Sequence, residues 1–190
     1  MNSNVSQFRP NVPPADLTRY GEDQLKEIAV RALRNSFSIE PEVTGKFLPD
    51  GSNLRIDFLM HPKPHLVSAG FVDAPIGLEV KAPGKEPSVK HAMAYAWQCI
   101  TYSMSEFRGE RTAFVLMFLD MAHFWTPDNM VTANLLKSLL VRSNVGDLTL
   151  NPYALSEWRM AFAGVRYFSA RDGLSNAPNA ALKRRVGNSK

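Results

Sequence analysis

The sequence predicts an α/β protein in which a central mixed sheet is flanked by helices, with the core order helix, strand, strand, strand, helix, strand (α-β-β-β-α-β). Three observations predict this fold class. An amphipathic segment with helical spacing comes first along the chain. Two segments in which apolar and polar residues alternate then follow, at 53–60 and 76–82, as in half-buried strands. Residues 113–119 form a continuous apolar run, which is typical of a strand buried on both faces.

The length of 190 residues favours one domain. We expect that domain to span 16–171, after a flexible N-terminal arm at 1–15 in which three prolines interrupt a polar sequence. Residues 172–190 form a tail that has no acidic residue after Asp172 and ends in the basic sequence ALKRRVGNSK. Its composition is typical of a disordered segment, and the alternative is a basic arm that contacts phosphates.

The composition is that of an ordinary globular protein, with 45% hydrophobic and 21% charged residues. The formal net charge of +4 suits a polyanionic partner without requiring one. Cys99 is the single cysteine, which excludes a disulfide within the chain and a cysteine-ligated zinc or iron–sulfur site. Because no apolar run reaches membrane-spanning length and the N-terminus lacks a signal-peptide core, we expect a cytoplasmic protein without a membrane partner.

The first half of the domain begins with a helix that Asp16 is predicted to cap and that runs to about Asn35. Its apolar positions follow helical spacing: Leu25, Ile28, Ala29, Ala32 and Leu33. Residues 37–48 have β-strand character and end at the turn 49–52. In the strand that follows, one predicted face carries Leu54, Ile56, Phe58 and Met60, and the other carries Arg55, Asp57 and Leu59.

The second half continues with the strand at 76–82, whose two faces carry Ile76, Leu78 and Val80 against Gly77, Glu79 and Lys81. Ser88 is predicted to cap a helix that runs to about Phe107. Further helices are predicted at 128–142 and 152–163, before a short strand near 165–168.

The helix after Ser88 has two distinct stripes. One is apolar and contains Val89, Met93, Ala96, Trp97, Ile100, Met104 and Phe107. The other, nearly opposite, contains His91, Tyr95, Gln98 and Tyr102. Because these four side chains combine hydrogen-bonding groups with aromatic rings, they suit the lining of a nucleic-acid site. The alternative is an ordinary packing face against a neighbouring element.

Two carboxylates and a lysine form the candidate catalytic group. Asp57 and Glu79 lie on neighbouring strands, and the period of two places Lys81 on the same face as Glu79. Hard cations such as Mg²⁺ or Mn²⁺ bind through one or two carboxylates together with substrate phosphate. The metal would activate a water, and the lysine would orient that water and stabilise charge on the phosphate. The trio is therefore sufficient for phosphodiester hydrolysis.

Glu22 is a further candidate for the metal site. On a helical wheel it falls on the inward face of the first helix, where an acid is costly unless it meets a partner or a metal. The alternative is a carboxylate at the helix N-terminus that interacts favourably with the helix dipole. Outside the trio, Lys85 and Lys90 flank the expected cleft and are candidates for phosphate contacts.

Three segments together resemble the PD-(D/E)xK nuclease superfamily: RIDFLM at 55–60, LEVKAPG at 78–84 and QCITY at 98–102. The last is similar to the QxxxY motif of the RecB-like and λ-exonuclease-like branches. The resemblance covers about residues 16–120 and implies a restriction-endonuclease-like core. It implies Asp57 and Glu79 as metal ligands together with the backbone carbonyl of Val80, Lys81 as the catalytic lysine, and Gln98 and Tyr102 near bound DNA. It also matches Glu22 to the acid that such families carry on the first helix.

Two features depart from the family pattern. Ile56 stands where proline would precede Asp57, and the 22-residue separation between Asp57 and Glu79 requires a long connection. We expect a Mg²⁺- or Mn²⁺-dependent deoxyribonuclease of DNA repair or recombination, either an exonuclease or a structure-specific endonuclease, and an assembly of several copies is compatible with it. The alternatives are a catalytically inactive nucleic-acid-binding or protein-interaction module with the same fold, and an α/β protein in which the motifs are coincidental.

Overall fold

The computed structural model describes residues 15–83, 88–119, 123 and 130–175. Their helices are α1 (Glu22–Leu33), α2 (Pro64–Ser68), α3 (Val89–Ser103) and α4 (Met130–Arg142). The first six strands are β1 (Phe37–Phe47), β2 (Asn53–Pro62), β3 (Ile76–Val80), β4 (Ser105–Phe107), β5 (Glu110–Arg111) and β6 (Val115–Phe118). The last four are β7 (Val145–Asn151), β8 (Ala154–Phe162), β9 (Val165–Ser169) and β10 (Gly173–Leu174). None of the helices in the described ranges has the length and apolar character needed to cross a membrane.

One ten-stranded sheet joins all the strands in the order β10-β9-β8-β7-β6-β3-β2-β1-β4-β5. β6 pairs in parallel with both β3 and β7, whereas the other pairs are antiparallel. The predicted α/β class with a central mixed sheet is therefore confirmed. β6 lies in the middle and is buried along its length, as its continuous apolar sequence predicts.

The two faces of the sheet form two cores. α1 covers one face, where Leu25 and Leu33 pack with Phe58, Leu78 and Trp158. α3 and α4 cover the other face, where the buried residues include Ile56, Leu59, Val115, Met117, Leu136 and Leu140. Burying apolar surface on both faces is the main source of stability for such a sheet. The arrangement places Glu22, the first residue of α1, beside Lys81 at the end of β3, and the middle of α3 against Glu79.

The predicted first helix is two elements. Asp16 caps a separate 3-10 turn at Leu17–Arg19, where its carboxylate accepts a hydrogen bond from the N–H of Thr18. α1 begins only at Glu22, and the side chain of Gln24 accepts a hydrogen bond from the N–H of Gly21 at 3.1 Å. The predicted capping residue therefore belongs to the turn, because an Asp side chain reaches backbone N–H groups only two or three residues ahead.

The predicted faces of α3 are wrong in part, although Ala96 of the apolar stripe is buried and His91 of the other stripe is exposed. The residues buried against the sheet are Ala92, Tyr95, Ala96, Cys99 and Tyr102, whereas Met93, Trp97 and Met104 of the predicted apolar stripe are exposed, Trp97 by 69%. Small alanines allow the helix to approach the sheet closely, and the two tyrosines find acceptors for their hydroxyl groups there. The helix also ends before Phe107, which lies in β4 at the side of β1.

Three predictions near the C-terminus had different outcomes. The helix at 128–142 and the strand near 165–168 are confirmed as α4 and β9. The helix predicted at 152–163 is wrong, because this segment forms β8. Trp158 and Met160 are buried and alternate with the exposed Glu157 and Arg159, and β8 pairs with strands on both sides. The sheet also continues to Leu174 in β10, past the domain end expected at residue 171.

Candidate active site

The centre of the candidate site is a fork between β2 and β3. The strands pair from Met60↔Ile76 to Phe58↔Leu78, a register that brings Asp57 opposite Glu79. At this point side chains accept the backbone hydrogen bonds that a regular ladder between the two strands would otherwise form. The N–H of Asp57 donates to Oε2 of Glu79 at 3.3 Å, and the N–H of Val80 donates to Oδ2 of Asp57 at 2.9 Å. Both carboxylates therefore lie in the opening between the two strands.

The fork changes the alternation predicted for β2. Phe58 and Met60 pack on the α1 side of the sheet, whereas Ile56 packs with Leu59 on the α3 side. The prediction that Ile56 shares a face with Phe58 and Met60 is therefore wrong. The physical reason is that the ladder to β3 ends at Phe58, so the strand can turn about its axis at Asp57 without losing backbone hydrogen bonds there.

Side chains from α3 hold Glu79 in place. Its side chain is only 4% exposed, and Oε1 accepts a hydrogen bond from Nε2 of Gln98 at 2.7 Å. The same nitrogen donates to the hydroxyl of Tyr102 at 2.7 Å, and that hydroxyl donates to the carbonyl of Arg55 at 2.7 Å. Gln98 and Tyr102 therefore connect Glu79 to the backbone of β2. They act as positioning residues, and Tyr102 is too deeply buried to form part of an open DNA surface.

Tyr95 has a structural place as well. It is 2% exposed, and its hydroxyl donates to the backbone carbonyl of Glu79 at 2.9 Å. The structure thus places Tyr95 in the core beneath β3. It is therefore not part of the predicted nucleic-acid lining. His91 and Lys90 are exposed at the start of α3, whereas Lys85 lies outside the described residues.

Burial governs the ionisation of this region. Burial first, and then the neighbouring charge of Asp57, raise the pKa of Glu79 to about 8. Burial also raises the pKa values of Tyr95, Tyr102 and Cys99. The two tyrosines therefore remain protonated hydrogen-bond donors at neutral pH. The Cys99 thiol remains protonated too and is a poor nucleophile.

A network of ion pairs surrounds the fork. Lys81 is 43% exposed, and its Nζ lies 2.9 Å from Oε2 of Glu22. Lys26 lies on the same helix as Glu22, and its Nζ is 2.5 Å from Oδ1 of Asp57. Burial lowers the pKa of Lys26, but the hydrogen bond and charge of Asp57, together with the charges of Glu42 and Glu22, outweigh that effect, so its pKa is raised. Glu22 thus contacts lysines, and the structure does not bring it to the Asp57–Glu79 pair as a third carboxylate.

Two members of this network were missed by sequence analysis. Lys26 follows Glu22 by four residues, and this spacing alone places both on one face of α1. Glu42 lies between Pro41 and Val43, which pair with Phe58 and Ile56 on either side of Asp57, and its carboxylate is 3.5 Å from Nζ of Lys26 and 2.7 Å from Nε of Arg55. Its φ of 54° is a conformation rarely adopted by residues other than glycine. No sequence signal identifies Glu42, because its place depends on the strand register.

The fork can offer oxygen ligands to a metal ion. In the described part of the chain, no group of three or more His, Cys, Asp and Glu side chains is arranged to hold a metal. Asp57 and Glu79 supply two carboxylates. The backbone carbonyl of Val80 lies on the same side of β3 as its N–H, which faces Asp57. This oxygen-only donor set suits Mg²⁺ or Mn²⁺, which retain waters and take further ligands from a substrate phosphate. A divalent ion would also offset the repulsion between the two carboxylates.

The structure therefore brings Asp57 and Glu79 together, places Lys81 in an ion pair with Glu22 at the edge of the fork, and adds Lys26 and Glu42 around Asp57. Such a group can hold a cation and an anion side by side, which is what hydrolysis of a phosphate ester requires. The chain matches no protein-family model, no curated protein and no solved structure.

Proposed function

We propose that the protein is a divalent-metal-dependent DNA nuclease with a restriction-endonuclease-like core, similar to the PD-(D/E)xK enzymes. One observation carries the proposal. The carboxylates of Asp57 and Glu79 lie in a fork between two strands, and Lys81, next but one to Glu79, extends to solvent beside them. An ordinary strand ladder could satisfy the two backbone N–H groups that these carboxylates accept, so the need for a stable sheet does not explain a buried acid opposite a second acid, which desolvation and repulsion both disfavour.

Each residue of the fork has a distinct task in this reaction. Asp57, Glu79 and the carbonyl of Val80 would hold Mg²⁺ or Mn²⁺, and Gln98 keeps the Glu79 carboxylate oriented. The ion, when bound, lowers the pKa of a water and polarises the phosphate. Lys81 would leave Glu22, orient the attacking water and stabilise negative charge on the phosphate. The exposure of Lys81 supports this role, since its ammonium can reach a substrate.

A basic groove next to the fork supports a nucleic-acid substrate. It has a volume of about 450 Å³ and is lined by three basic residues, Lys26, Arg31 and Arg34, by one acid, Glu27, and by Val30 and Phe58. In the described part of the chain, no acidic side chain forms an ion pair with either guanidinium. Lys26 lines the same groove and contacts Asp57, so the groove leads to the fork. Arginines of this kind bind backbone phosphates whatever the base sequence.

One observation favours a second candidate function. Lys81 and Lys26 are both paired with acids, as they would be in a module that binds nucleic acid or protein and does not turn over. The two functions differ in their need for a divalent ion. A nuclease requires the ion for cleavage, whereas a binding module would retain DNA equally well in a chelator.

Cleavage of defined DNA substrates tests the proposal. End-labelled linear, nicked, branched and covalently closed circular DNA would be incubated with wild type, Lys81→Ala and Lys46→Ala in Mg²⁺, Mn²⁺ or EDTA. Lys46 is an exposed lysine at the end of β1 and serves as the matched control. We expect metal-dependent cleavage by wild type and Lys46→Ala and none by Lys81→Ala. Cleavage of the closed circle would identify an endonuclease that needs no end or branch, cutting confined to the branched or nicked DNA a structure-specific endonuclease, and shortening of linear DNA from its ends an exonuclease. Intact DNA in every lane would refute the nuclease and leave the binding module.

A further inference from the structure

Lys26 is the side chain that competes for the candidate metal site. Asp57 has two carboxylate oxygens, and Oδ2 accepts the backbone N–H of Val80. The other oxygen, Oδ1, contacts the ammonium of Lys26 at 2.5 Å. Lys26 is 20% exposed, so its ion pair with Asp57 is only partly screened by water. The ammonium therefore holds the side of Asp57 that remains open for a cation.

The other polar contacts of the two carboxylates come from groups with little freedom to move. Glu79 accepts one hydrogen bond from Gln98, which Tyr102 fixes in turn, and one from the backbone of Asp57. Neutral donors of this kind leave each oxygen a second acceptor position for a metal. Lys26 differs from them in two respects. It carries a full positive charge, and it stands on a flexible stem.

Two further carboxylates lie within reach of the same ammonium. Oε1 of Glu42 is 3.5 Å from Nζ of Lys26, and Oε1 of Glu22 is 3.8 Å from it. Lys26 can thus release Asp57 by a small rotation and keep an acidic partner. The movement would be costly if it left a buried ammonium unpaired, but Lys26 keeps an acidic partner throughout.

The net charge of the cluster also favours movement of Lys26 when a metal ion binds. With Glu79 in the ionised form that binds a metal, Glu22, Glu42, Asp57 and Glu79 contribute four negative charges. Lys26, Lys81 and Arg55 contribute three positive charges, which leaves a net charge of −1. A divalent ion changes this to +1. Two cations would then share Asp57, and their repulsion favours movement of the one that is tethered.

We propose that Lys26 is a tethered cation of the metal site: its ammonium neutralises Asp57 when no metal is bound, and a divalent ion displaces it toward Glu42 and Glu22. This inference rests on the proposed function, since it takes the fork as the metal site. It deepens that function by making metal binding a competition within the protein. Lys26 thereby sets the concentration of Mg²⁺ or Mn²⁺ at which the site fills. Its ammonium also stabilises the folded fork when no metal is bound.

Binding of Mn²⁺ alone, without DNA, tests the inference. Isothermal titration calorimetry and the electron paramagnetic resonance signal of free Mn²⁺ would be compared for wild type, Lys26→Met, Lys26→Arg and Lys46→Met. We expect Lys26→Met to bind Mn²⁺ about tenfold more tightly than wild type, because a nearby positive charge typically costs at least that factor. Lys26→Arg keeps the charge, and Lys46→Met changes a remote lysine, so both should retain the wild-type affinity.

Thermal unfolding gives a second readout and guards against misfolding. In EDTA, Lys26→Met should melt below wild type because three acids lose a cation, and Mn²⁺ should raise its Tm by more than it raises that of wild type. Lys26→Gln is a second neutral variant that can still donate a hydrogen bond to Asp57. It should likewise bind Mn²⁺ more tightly than wild type, so the result does not depend on one substitution.

The outcomes separate this inference from the nuclease proposal. Tighter Mn²⁺ binding by the neutral variants with no DNA cleavage would support the tethered cation and refute the nuclease. Metal-dependent cleavage with equal Mn²⁺ affinities for folded wild type and neutral variants would overturn the inference and leave the nuclease. Failure of both wild type and Lys26→Met to bind Mn²⁺ would overturn the inference as well.

Discussion

The backbone N–H of Asp57 donates a hydrogen bond to the carboxylate of Glu79 at 3.3 Å, across the point where their two strands separate. The carboxylate of Asp57 in turn accepts the N–H of Val80 at 2.9 Å. The two carboxylates therefore accept backbone N–H groups that would otherwise form ladder hydrogen bonds between the two strands. Their positions belong to the fold as much as to the site, so a substitution at either position must be tested for stability as well as for activity.

The buried carboxyl of Glu79 predicts a loss of stability as the pH rises. Its folded pKa of about 8 lies above the usual glutamate value of 4.5, so the folded state binds more protons than the unfolded state between these values. The free energy of unfolding from this group should therefore fall as pH rises from about 4.5 to 8, by up to about 1.4 kcal/mol per pH unit.

Urea unfolding in EDTA at pH 5 and pH 8 measures this effect. Wild type should lose more stability than Glu79→Gln between the two values, since the amide cannot ionise. Glu27→Gln, on the exposed side of α1, is the control and should follow wild type. Parallel pH profiles for wild type and Glu79→Gln would contradict the raised pKa.

Gln98 is predicted to act on the metal site through Glu79. Gln98→Ala removes the donor to Oε1 of Glu79 and the link to Tyr102. Because hydrogen-bond partners that orient a metal ligand typically contribute 10- to 100-fold to affinity, we expect Mn²⁺ binding to weaken by roughly that factor. Calorimetric titration with Mn²⁺ checks it. Thr101→Ala removes a hydrogen bond to Trp97 on the same helix and should leave the affinity unchanged; equal weakening in both variants would indicate general damage to α3.

Tyr95 is predicted to stabilise the fold without contacting DNA. Tyr95→Phe leaves the backbone carbonyl of Glu79 without its buried hydroxyl donor, which typically costs about 1–3 kcal/mol of stability. We expect a lower urea midpoint and an unchanged affinity for a short DNA duplex by fluorescence anisotropy. Weaker DNA binding at full stability would instead support the sequence-based prediction that Tyr95 lines a nucleic-acid surface.

The groove along α1 is predicted to bind DNA phosphates. Replacing Arg31 and Arg34 by alanine together should weaken DNA binding and reduce the slope of log affinity against log salt by about 1 for each lost phosphate contact. Anisotropy titrations with Ca²⁺ in place of Mg²⁺, at several salt concentrations, measure both quantities. Arg142→Ala, on the helix that covers the other face of the sheet, is the control. An unchanged slope in the double variant would remove the groove from the DNA path.

Several predictions failed where a short pattern fits two structures. Residues 154–162 read as an amphipathic helix or as an alternating strand, and pairing with β7 and β9 decides for the strand. The two faces of α3 are ambiguous for a related reason. Tyrosine can be buried when its hydroxyl finds an acceptor, and Tyr95 and Tyr102 find backbone carbonyls that only the assembled sheet provides.

The α/β class, the first helix and the strand that contains Asp57 were determined by the sequence alone, because helical and strand periodicities are local. Only the tertiary structure decided that Asp57 lies opposite Glu79, that Gln98 and Tyr102 hold Glu79 from beneath, and that Lys26 and Glu42 join the fork. These relations depend on strand register and helix docking between residues far apart in the chain. Local patterns constrain such contacts weakly, and the packing of the whole sheet selects among them.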